Sequence, residues 1–159
     1  MRSKFAIMFL LVLAACARAA APMEATLSSS GYTPADLNCL SEALYFEARG
    51  TTVEGERAVG EVILNRAADA RFPDTICGVI DQRYNGTCQF SYRCDSIPND
   101  RFNEPAALAL SRSIAFDLLV DRGEDITNGA LFFHAASMRP GWFATLSKRG
   151  RFGGNIFYR

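Results

Sequence analysis

The sequence predicts a mainly helical α+β domain with a small β element. Two long segments combine helix-start signals with a helical spacing of apolar residues, a third follows Pro105, and two short β-like runs lie near the C-terminus. With 159 residues, 49% of them hydrophobic, the chain is large enough for one domain with a buried core. Basic and acidic residues number 17 each, and this balance lacks the positive excess of nucleic-acid-binding proteins. We therefore expect no nucleic-acid partner.

Residues 1–21 have the pattern of an export signal. Arg2 and Lys4 precede an apolar run over residues 5–15, which is too short to span a bilayer and is followed by small residues. We therefore expect an exported protein of the periplasm or cell envelope.

Two ways of processing this signal remain open. The stretch "ARA" at residues 17–19 fits ordinary signal cleavage, whereas "LAAC" resembles a lipobox that ends at Cys16. The second alternative would anchor Cys16 by lipid in the inner or outer membrane. In both cases the folded domain is expected over residues 33–159.

Four cysteines remain when Cys16 is set aside, and an even number in an exported chain indicates disulfides. Three pairings are open; we prefer Cys88 with Cys94, across the short loop "CQFSYRC", and Cys39 with Cys77. A zinc site is the weaker alternative because the sequence has no C-x-x-C pair and a single histidine. We therefore expect no metal and no cofactor.

The first long helix is predicted from Pro34 to Arg49. Thr33 is placed as its N-cap, Pro34 takes the first helical position, Asp36 lies in the first turn and Gly50 marks the end.

A second helix is expected almost without a linker. Thr51 and Glu54 have the spacing of a capping box, and the helix continues to Asn65 and Arg66. Its apolar face comprises Ala58, Val59, Val62 and Ile63.

The remaining segments are shorter or irregular. Residues 71–101 carry many turn-forming residues, so we expect irregular structure with room for one short helix or strand. A third helix starts at Pro105 and ends near Val120. The runs 129–135 and 155–159 are β-like, and the basic, Gly-rich stretch 148–154 between them is interpreted as a solvated charged turn.

Glu47 interrupts the pattern of the first helix. Leu37, Leu40 and Leu44 lie on the same helical face, where an aliphatic side chain would be expected at position 47. An apolar surrounding and the C-terminal end of the helix dipole both raise the pKa of a carboxyl. Such a group can donate a proton near neutral pH, as a glycosidase requires.

The alternative for Glu47 is a rim position with Arg49 or Arg66 as its partner. Most glutamates in a last helical turn lie at the rim, so periodicity alone favours this second interpretation.

Several segments together resemble the SleB-like cell wall hydrolases, the spore-cortex-lytic enzyme family. "EALYFEARG", "GERAVGEVILNRA", "RFPDTICGVI", "CQFS", "GALFFHA" and "GGNIFYR" occur in the order and approximate spacing of that family, over residues 37–159. Its members resemble lysozymes and lytic transglycosylases in fold and cleave the glycan strands of peptidoglycan. The resemblance implies a lysozyme-like domain and a peptidoglycan substrate.

Carried onto this chain, the resemblance implies that Glu47 is the general acid at the floor of a substrate groove. Gln89, Phe90 and Ser91 match the groove-lining Gln-Phe-Ser of the family, where an amide and a hydroxyl can hold sugar hydroxyl or N-acetyl groups. The structural alternative for these three residues is loop capping within the disulfide.

Aromatic residues extend the predicted binding set. Tyr92 and Trp142 are expected to be exposed and to contact sugar, whereas Tyr45 and Tyr158 are left undecided. His134 is included as a groove residue, although a packing role on its β-strand is the favoured alternative.

Two positions depart from the family pattern. Thr51 stands where many members have glutamate, and Asn155 stands where a histidine is common. These losses motivate an alternative, a catalytically silent peptidoglycan-binding envelope protein. A third hypothesis, a disulfide-braced lipoprotein that binds another protein, depends only on the lipobox.

A lytic transglycosylase is the favoured mechanism because it needs only one acid/base residue. Hydrolysis would require a second carboxyl group about 5–5.5 Å away for retention or about 6.5–9.5 Å away for inversion. The candidates for that group are Glu54, Glu56, Glu61 and Asp95.

Overall fold

The computed structural model describes residues 23–95, 102–139 and 141–159, without the side chain of Trp142. The predicted export signal and Cys16 lie outside these residues. The helices are α1 (Met23–Ser29), α2 (Pro34–Ala48), α3 (Val53–Ala67), α4 (Ile76–Asp81) and α5 (Pro105–Val120). The strands are β1 (Arg83–Tyr84), β2 (Thr87–Cys88), β3 (Phe132–Ala135), β4 (Lys148–Phe152) and β5 (Asn155–Tyr158). Short 3₁₀ turns cover Ser91–Arg93 and Gly141–Thr145.

The start of α2 is capped as the sequence predicts. The Thr33 side chain accepts a hydrogen bond from the Asp36 N–H, and the Asp36 carboxylate accepts one from the Thr33 N–H at 2.9 Å. The helix ends at Ala48, just before Gly50, whose φ is +79°.

The cap of α3 differs from the prediction by one residue. Thr52 is the N-cap, and its hydroxyl accepts a hydrogen bond from the Gly55 N–H at 3.1 Å. Thr51 instead donates its hydroxyl to the Ala48 carbonyl at 2.7 Å and so belongs to the end of α2. The prediction was wrong because two adjacent threonines compete for one cap: Thr52 has the extended backbone that the cap requires, and the Thr51 hydroxyl is used at the end of α2.

The core lies where α2 packs against α3, α4 and α5. The predicted apolar face of α3 is fully buried, as are Leu37, Leu40 and Leu44 of α2. On α5, Ala115, Leu118 and Leu119 are buried against these helices. The predicted mainly helical α+β class is confirmed.

Three antiparallel strands form a sheet in the order β3, β5, β4. The basic stretch interpreted as a turn is mostly strand β4, because it pairs with β5; the side chains of Lys148, Arg149 and Arg151 are nevertheless exposed. The turn between β4 and β5 touches the start of α3, where a Cβ on Gly55 would lie 2.5 Å from the Gly153 Cα. Only glycine permits this close approach of two backbones.

Residues 71–95 are more regular than predicted. After α4, strands β1 and β2 form an antiparallel hairpin around Asn85 and Gly86, whose φ angles are +49° and +80°. Positive φ at both central residues is typical of a type I′ turn, for which Asn-Gly is a preferred pair.

Both disulfides join the cysteines that the sequence analysis preferred. Cys39 of α2 is bonded to Cys77 of α4, and Cys88 of β2 is bonded to Cys94 after the 3₁₀ turn. The first bond connects two helices, and the second closes a local loop. Among the described residues, the structure contains no helix with the length and apolar character needed to cross a membrane.

Candidate active site

Glu47 lies in the last turn of α2 and is half-buried. Burial raises the pKa of its carboxyl group, and the positive charge of Arg66 lowers it in part. Its position after the buried leucine stripe explains this desolvation, because α2 turns the same face towards the core. The carboxyl group is therefore suited to hold a proton at higher pH than an exposed glutamate.

Arg66, near the end of α3, is the charged partner of Glu47. Its Nε donates a hydrogen bond to the Leu131 carbonyl at 2.7 Å, and the side chain is 6% exposed. Three aromatic rings surround the guanidinium, with centroids 5.2–5.9 Å from its central carbon; they belong to Phe72, Phe90 and Phe132. Burial lowers the pKa of Arg66 to about 10, so the guanidinium remains charged at neutral pH.

A cavity of about 780 Å³ lies beside Arg66. Arg66 contributes to its wall, but Glu47 is not among the lining residues, so the predicted place of the acid at the groove floor is not reproduced directly. The lining residues are Arg66, Arg71, Phe72, Gln82, Tyr84, Gln89, Phe132, Phe133 and Leu146. This set combines aromatic surface with two amides and two arginines, a composition suited to a polar ligand with apolar faces.

The predicted Gln-Phe-Ser segment divides into surface and interior positions. Gln89 is exposed and lines the cavity, in agreement with a groove role. Ser91 is exposed at the start of the 3₁₀ turn, outside the lining set. Phe90 is 2% exposed and packs near Arg66, so its position is in the core. Phe90 is therefore not positioned to contact a sugar directly.

The prediction that Tyr92 is exposed was wrong. The residue is 4% exposed, and its ring stacks on Phe46 with a centroid distance of 4.7 Å. The 3₁₀ turn packs against α2, where Tyr92 meets Phe46 and Arg93 forms an ion pair with Glu42. Tyr45 is also buried, with its hydroxyl accepting a hydrogen bond from the Glu104 N–H. The side chain of Trp142 lies outside the described residues.

His134 occupies the packing position that the sequence analysis favoured. It is 7% exposed, stacks on Tyr158 and contacts the Phe143 ring. Its Nδ1 lies 2.8 Å from the Ala135 carbonyl, which can only accept, and its Nε2 lies 3.2 Å from the Tyr158 hydroxyl. These contacts fix the ring within the sheet, and His134 is not among the residues that line the cavity.

None of the four candidate second carboxylates lines the cavity. Glu54 and Asp95 are exposed. Glu56 is buried and accepts a hydrogen bond from the Ser111 hydroxyl at 3.0 Å. Glu61 is buried and forms ion pairs with Arg57 and Arg122. The last two have structural partners that account for their burial.

Sequence reasoning assigned only Gln89 of the nine cavity-lining residues to the site, and three of the others show why the rest were missed. Gln82 and Tyr84 lie in the segment interpreted as irregular, although the Asn85-Gly86 pair signals a hairpin there. Arg66 was considered only as a rim partner, and its burial depends on Leu131, which is 65 residues away. Within the described ranges, no cluster of three or more His, Cys, Asp or Glu residues is arranged to hold a metal ion.

Comparison with known proteins supports the resemblance seen in the sequence. The cell wall hydrolase family matches residues 50–158. The chain is 34% identical over 128 residues to a spore cortex-lytic enzyme of Oceanobacillus iheyensis, covering 80% of this chain and 42% of that protein. A spore cortex-lytic enzyme of Halalkalibacterium halodurans is 30% identical over 135 residues, covering 84% and 38%. The chain thus spans about two fifths of the length of these relatives.

The family match begins after Glu47, but the match to the Oceanobacillus iheyensis enzyme includes this residue. A span of 128 residues in a chain of 159 necessarily contains position 47.

The structure also matches the catalytic domain of the germination-specific lytic transglycosylase SleB from Bacillus anthracis, with a TM-score of 0.61 and 28% identity over 81% of this chain and 98% of that domain. For the catalytic domain of Bacillus cereus SleB, the TM-score is 0.62 at 28% identity, covering 81% and 93%. The chain therefore belongs to the cell wall hydrolase family.

Proposed function

We propose that this chain is a peptidoglycan glycosidase that cleaves the glycan strand between muramic acid and glucosamine, acting as a lytic transglycosylase with Glu47 as acid and base. One observation carries the proposal: a half-buried carboxyl group with a raised pKa interacts electrostatically with a buried arginine that lines a cavity. The relationship to a protein described as a lytic transglycosylase supports it.

In the first step, protonated Glu47 gives its proton to the glycosidic oxygen, and the bond from that oxygen to the muramic acid C1 breaks. In the second step, the Glu47 carboxylate accepts the proton of the muramic acid C6 hydroxyl while O6 bonds to C1 and closes the anhydro ring. The residue ends protonated, as it began, and no water is consumed. The engagement of Glu56 by Ser111, and of Glu61 by Arg57 and Arg122, supports this one-carboxylate route.

The same mechanism determines the pH dependence. Only the protonated form of Glu47 can act as the acid, and burial raises the pKa of this carboxyl. Activity should therefore persist above the ordinary glutamate range and fall as the pH rises through the raised pKa. Arg66 limits how far this pKa rises, and its charge stabilises the carboxylate that must act as base in the second step.

Export is part of the proposal. The basic start and apolar run of residues 1–21 support export to the periplasm or cell envelope, with the catalytic domain at residues 33–159. Lipid attachment at Cys16 and ordinary cleavage remain the two processing routes. The mass of the mature protein from cells, with and without an inhibitor of lipoprotein signal peptidase, distinguishes them.

The test is mass spectrometry of the fragments released from purified peptidoglycan by the exported protein with its disulfides formed. Fragments ending in anhydro-muramic acid are expected from the wild type and from Glu54→Gln, a control at an exposed carboxylate, but not from Glu47→Gln. Reducing ends would show hydrolysis and overturn the transglycosylase mechanism. Binding to peptidoglycan without release, where a known lysozyme digests the same material, would favour the silent binding protein.

A further inference from the structure

One face of the β1–β2 hairpin is turned towards the cavity. Gln82, Tyr84 and Gln89 all line the cavity. The Gln89 N–H donates a hydrogen bond to the Gln82 carbonyl at 3.0 Å, which extends the hairpin pairing by one residue on each side. Because side chains alternate along a strand, residues 82 and 84 share a face, and residue 89 lies opposite residue 82 on that face.

The other face of the hairpin is used for attachment. Cys88 is buried and bonded to Cys94. Its neighbour Gln89 points to the opposite side, as alternation requires. The disulfide therefore lies on the face of the hairpin opposite the cavity and leaves the cavity-facing side chains accessible.

Tyr84 is the largest apolar group on this face. It is 69% exposed, more than the other exposed large hydrophobic residues among the described part of the chain. Exposure of an aromatic ring at the wall of a cavity gives nothing to the core, but it offers a flat apolar surface with a polar hydroxyl at one end. The C–H faces of a pyranose ring fit such a surface.

Gln82 has an unmet hydrogen bond. Its Oε1 is buried and has no donor among the described residues. An unsatisfied buried acceptor costs about 1–3 kcal/mol. The terminal torsion of glutamine has a broad energy minimum, so the amide can turn towards a donor that enters the cavity. An acetamido group carries such an N–H donor and also a carbonyl that an amide N–H can bind.

We propose that this hairpin face is a subsite for an N-acetylated hexosamine, with Tyr84 stacked on the sugar ring and the amides of Gln82 and Gln89 bound to its acetamido group. This inference rests on the proposed function, since it names the sugar that the same cavity holds. It assigns recognition to the hairpin and leaves proton transfer to Glu47.

The test compares the binding of two neutral probes by calorimetry: the β-linked tetramer of N-acetylglucosamine and the corresponding tetramer of glucose, which lacks the acetamido group. The wild type should bind the first more tightly. Tyr84→Ala should weaken the binding of N-acetylglucosamine tetramer about threefold to tenfold, and Tyr84→Phe should restore most of it. Val53→Ala, at an exposed apolar residue outside the cavity lining, should change nothing.

Gln82→Met tests the acetamido contact separately. Affinity for the N-acetylglucosamine tetramer should fall towards that for the glucose tetramer, whose own binding should not change. Since the substitution removes an unsatisfied buried oxygen, the thermal midpoint should not decrease.

The inference is overturned if the wild type binds neither probe or does not discriminate between them, or if Tyr84→Ala binds as tightly as the wild type. It is also overturned if Gln82→Met keeps the full preference for the acetamido sugar. These measurements involve no bond cleavage, so a protein that binds as expected but releases no peptidoglycan fragments would refute the proposed function and leave the subsite intact.

Discussion

The end of α2 and the β1–β2 hairpin are stabilised in different ways, although Arg66, which interacts with Glu47, lines the same cavity as the hairpin. Glu47 follows a stripe of leucines that are 0% exposed, and its partner Arg66 is fixed by residues distant in sequence. The hairpin is a local structure, closed by a turn and a short disulfide, with Tyr84 left exposed. Proton transfer requires burial, which shifts a pKa, whereas sugar recognition requires accessible side chains. Proton transfer is therefore assigned to a buried helix end, and sugar recognition to an exposed local hairpin.

The largest effect is expected at the helical side of this comparison. Glu47→Gln keeps the size of the side chain but removes the proton donor, so kcat should fall about 10²- to 10⁴-fold. The thermal midpoint should stay the same or rise, because a partly desolvated carboxylate is replaced by a neutral amide. Steady-state rates and thermal unfolding check this. A large loss of stability with activity retained would assign Glu47 to the fold instead.

Removing the disulfides should separate the two regions by stability. Cys39 and Cys77 are 38 residues apart in sequence, whereas Cys88 and Cys94 are 6 apart. The loop-closure relation gives about 4 kcal/mol for the first bond and about 2 kcal/mol for the second. Replacing both cysteines of each pair by serine and measuring denaturant unfolding tests this difference.

In the same pair of variants, loss of the hairpin bond should also weaken binding of the N-acetylglucosamine tetramer. Equal stability losses in the two variants, or weaker sugar binding only when the helical bond is removed, would contradict the division between the regions.

A smaller effect is expected at Arg66, which connects them. Arg66→Met should lower kcat by between about tenfold and about 100-fold through misplacement of the acid. It should also move the high-pH limb of the rate profile upward, because the positive charge that lowers the Glu47 pKa is gone. Tyr92 also interacts with Glu47, but burial raises the pKa of Tyr92, so it stays neutral.

Arg66→Lys is the matched control because it keeps the charge while losing the fork of donors. Its pH limb should stay close to that of the wild type even if its rate is reduced. If the high-pH limb of the rate profile does not move in Arg66→Met, Arg66 only supports the fold.

The smallest effect concerns Glu56, which serves neither region. Burial raises the pKa of its carboxyl, and the hydrogen bond from Ser111 lowers it in part. A raised pKa in the folded state means that stability is fully present below the unfolded pKa and is lost as pH rises through the folded pKa. Glu56→Gln should therefore be more stable than the wild type at neutral pH, by about 1 kcal/mol or less, and equal to it in acid. Thermal midpoints across pH measure this, and a lower midpoint for Glu56→Gln at neutral pH would contradict it.

The helical region was largely predictable because its signals are local. The Thr33 cap, the apolar face of α3 and the leucines before Glu47 follow from spacing alone, and the structure reproduces them. The preferred disulfide pairing is also the one in the structure.

The cavity wall was harder to predict for two physical reasons. Whether Tyr92 faces solvent depends on how its loop packs against Phe46, a contact between segments far apart in sequence. The burial of Arg66 likewise depends on a carbonyl in a distant segment. The hairpin is a different case. Its Asn-Gly turn is a recognisable hairpin signal in the sequence, but the apolar runs around it are short, and the segment was therefore interpreted as irregular.

The order of strands in the sheet has a consequence for synthesis and export. β5 pairs with both β3 and β4, yet it follows them in the chain. The Leu131 N–H donates to the Tyr158 carbonyl, so the segment that holds Arg66 is completed by residues that are made after β3 and β4. A nascent chain that has not yet produced β5 lacks an anchored counter-charge for its acid. If Glu47 is the acid, as proposed, the domain acquires its full activity only once it has been translated through β5.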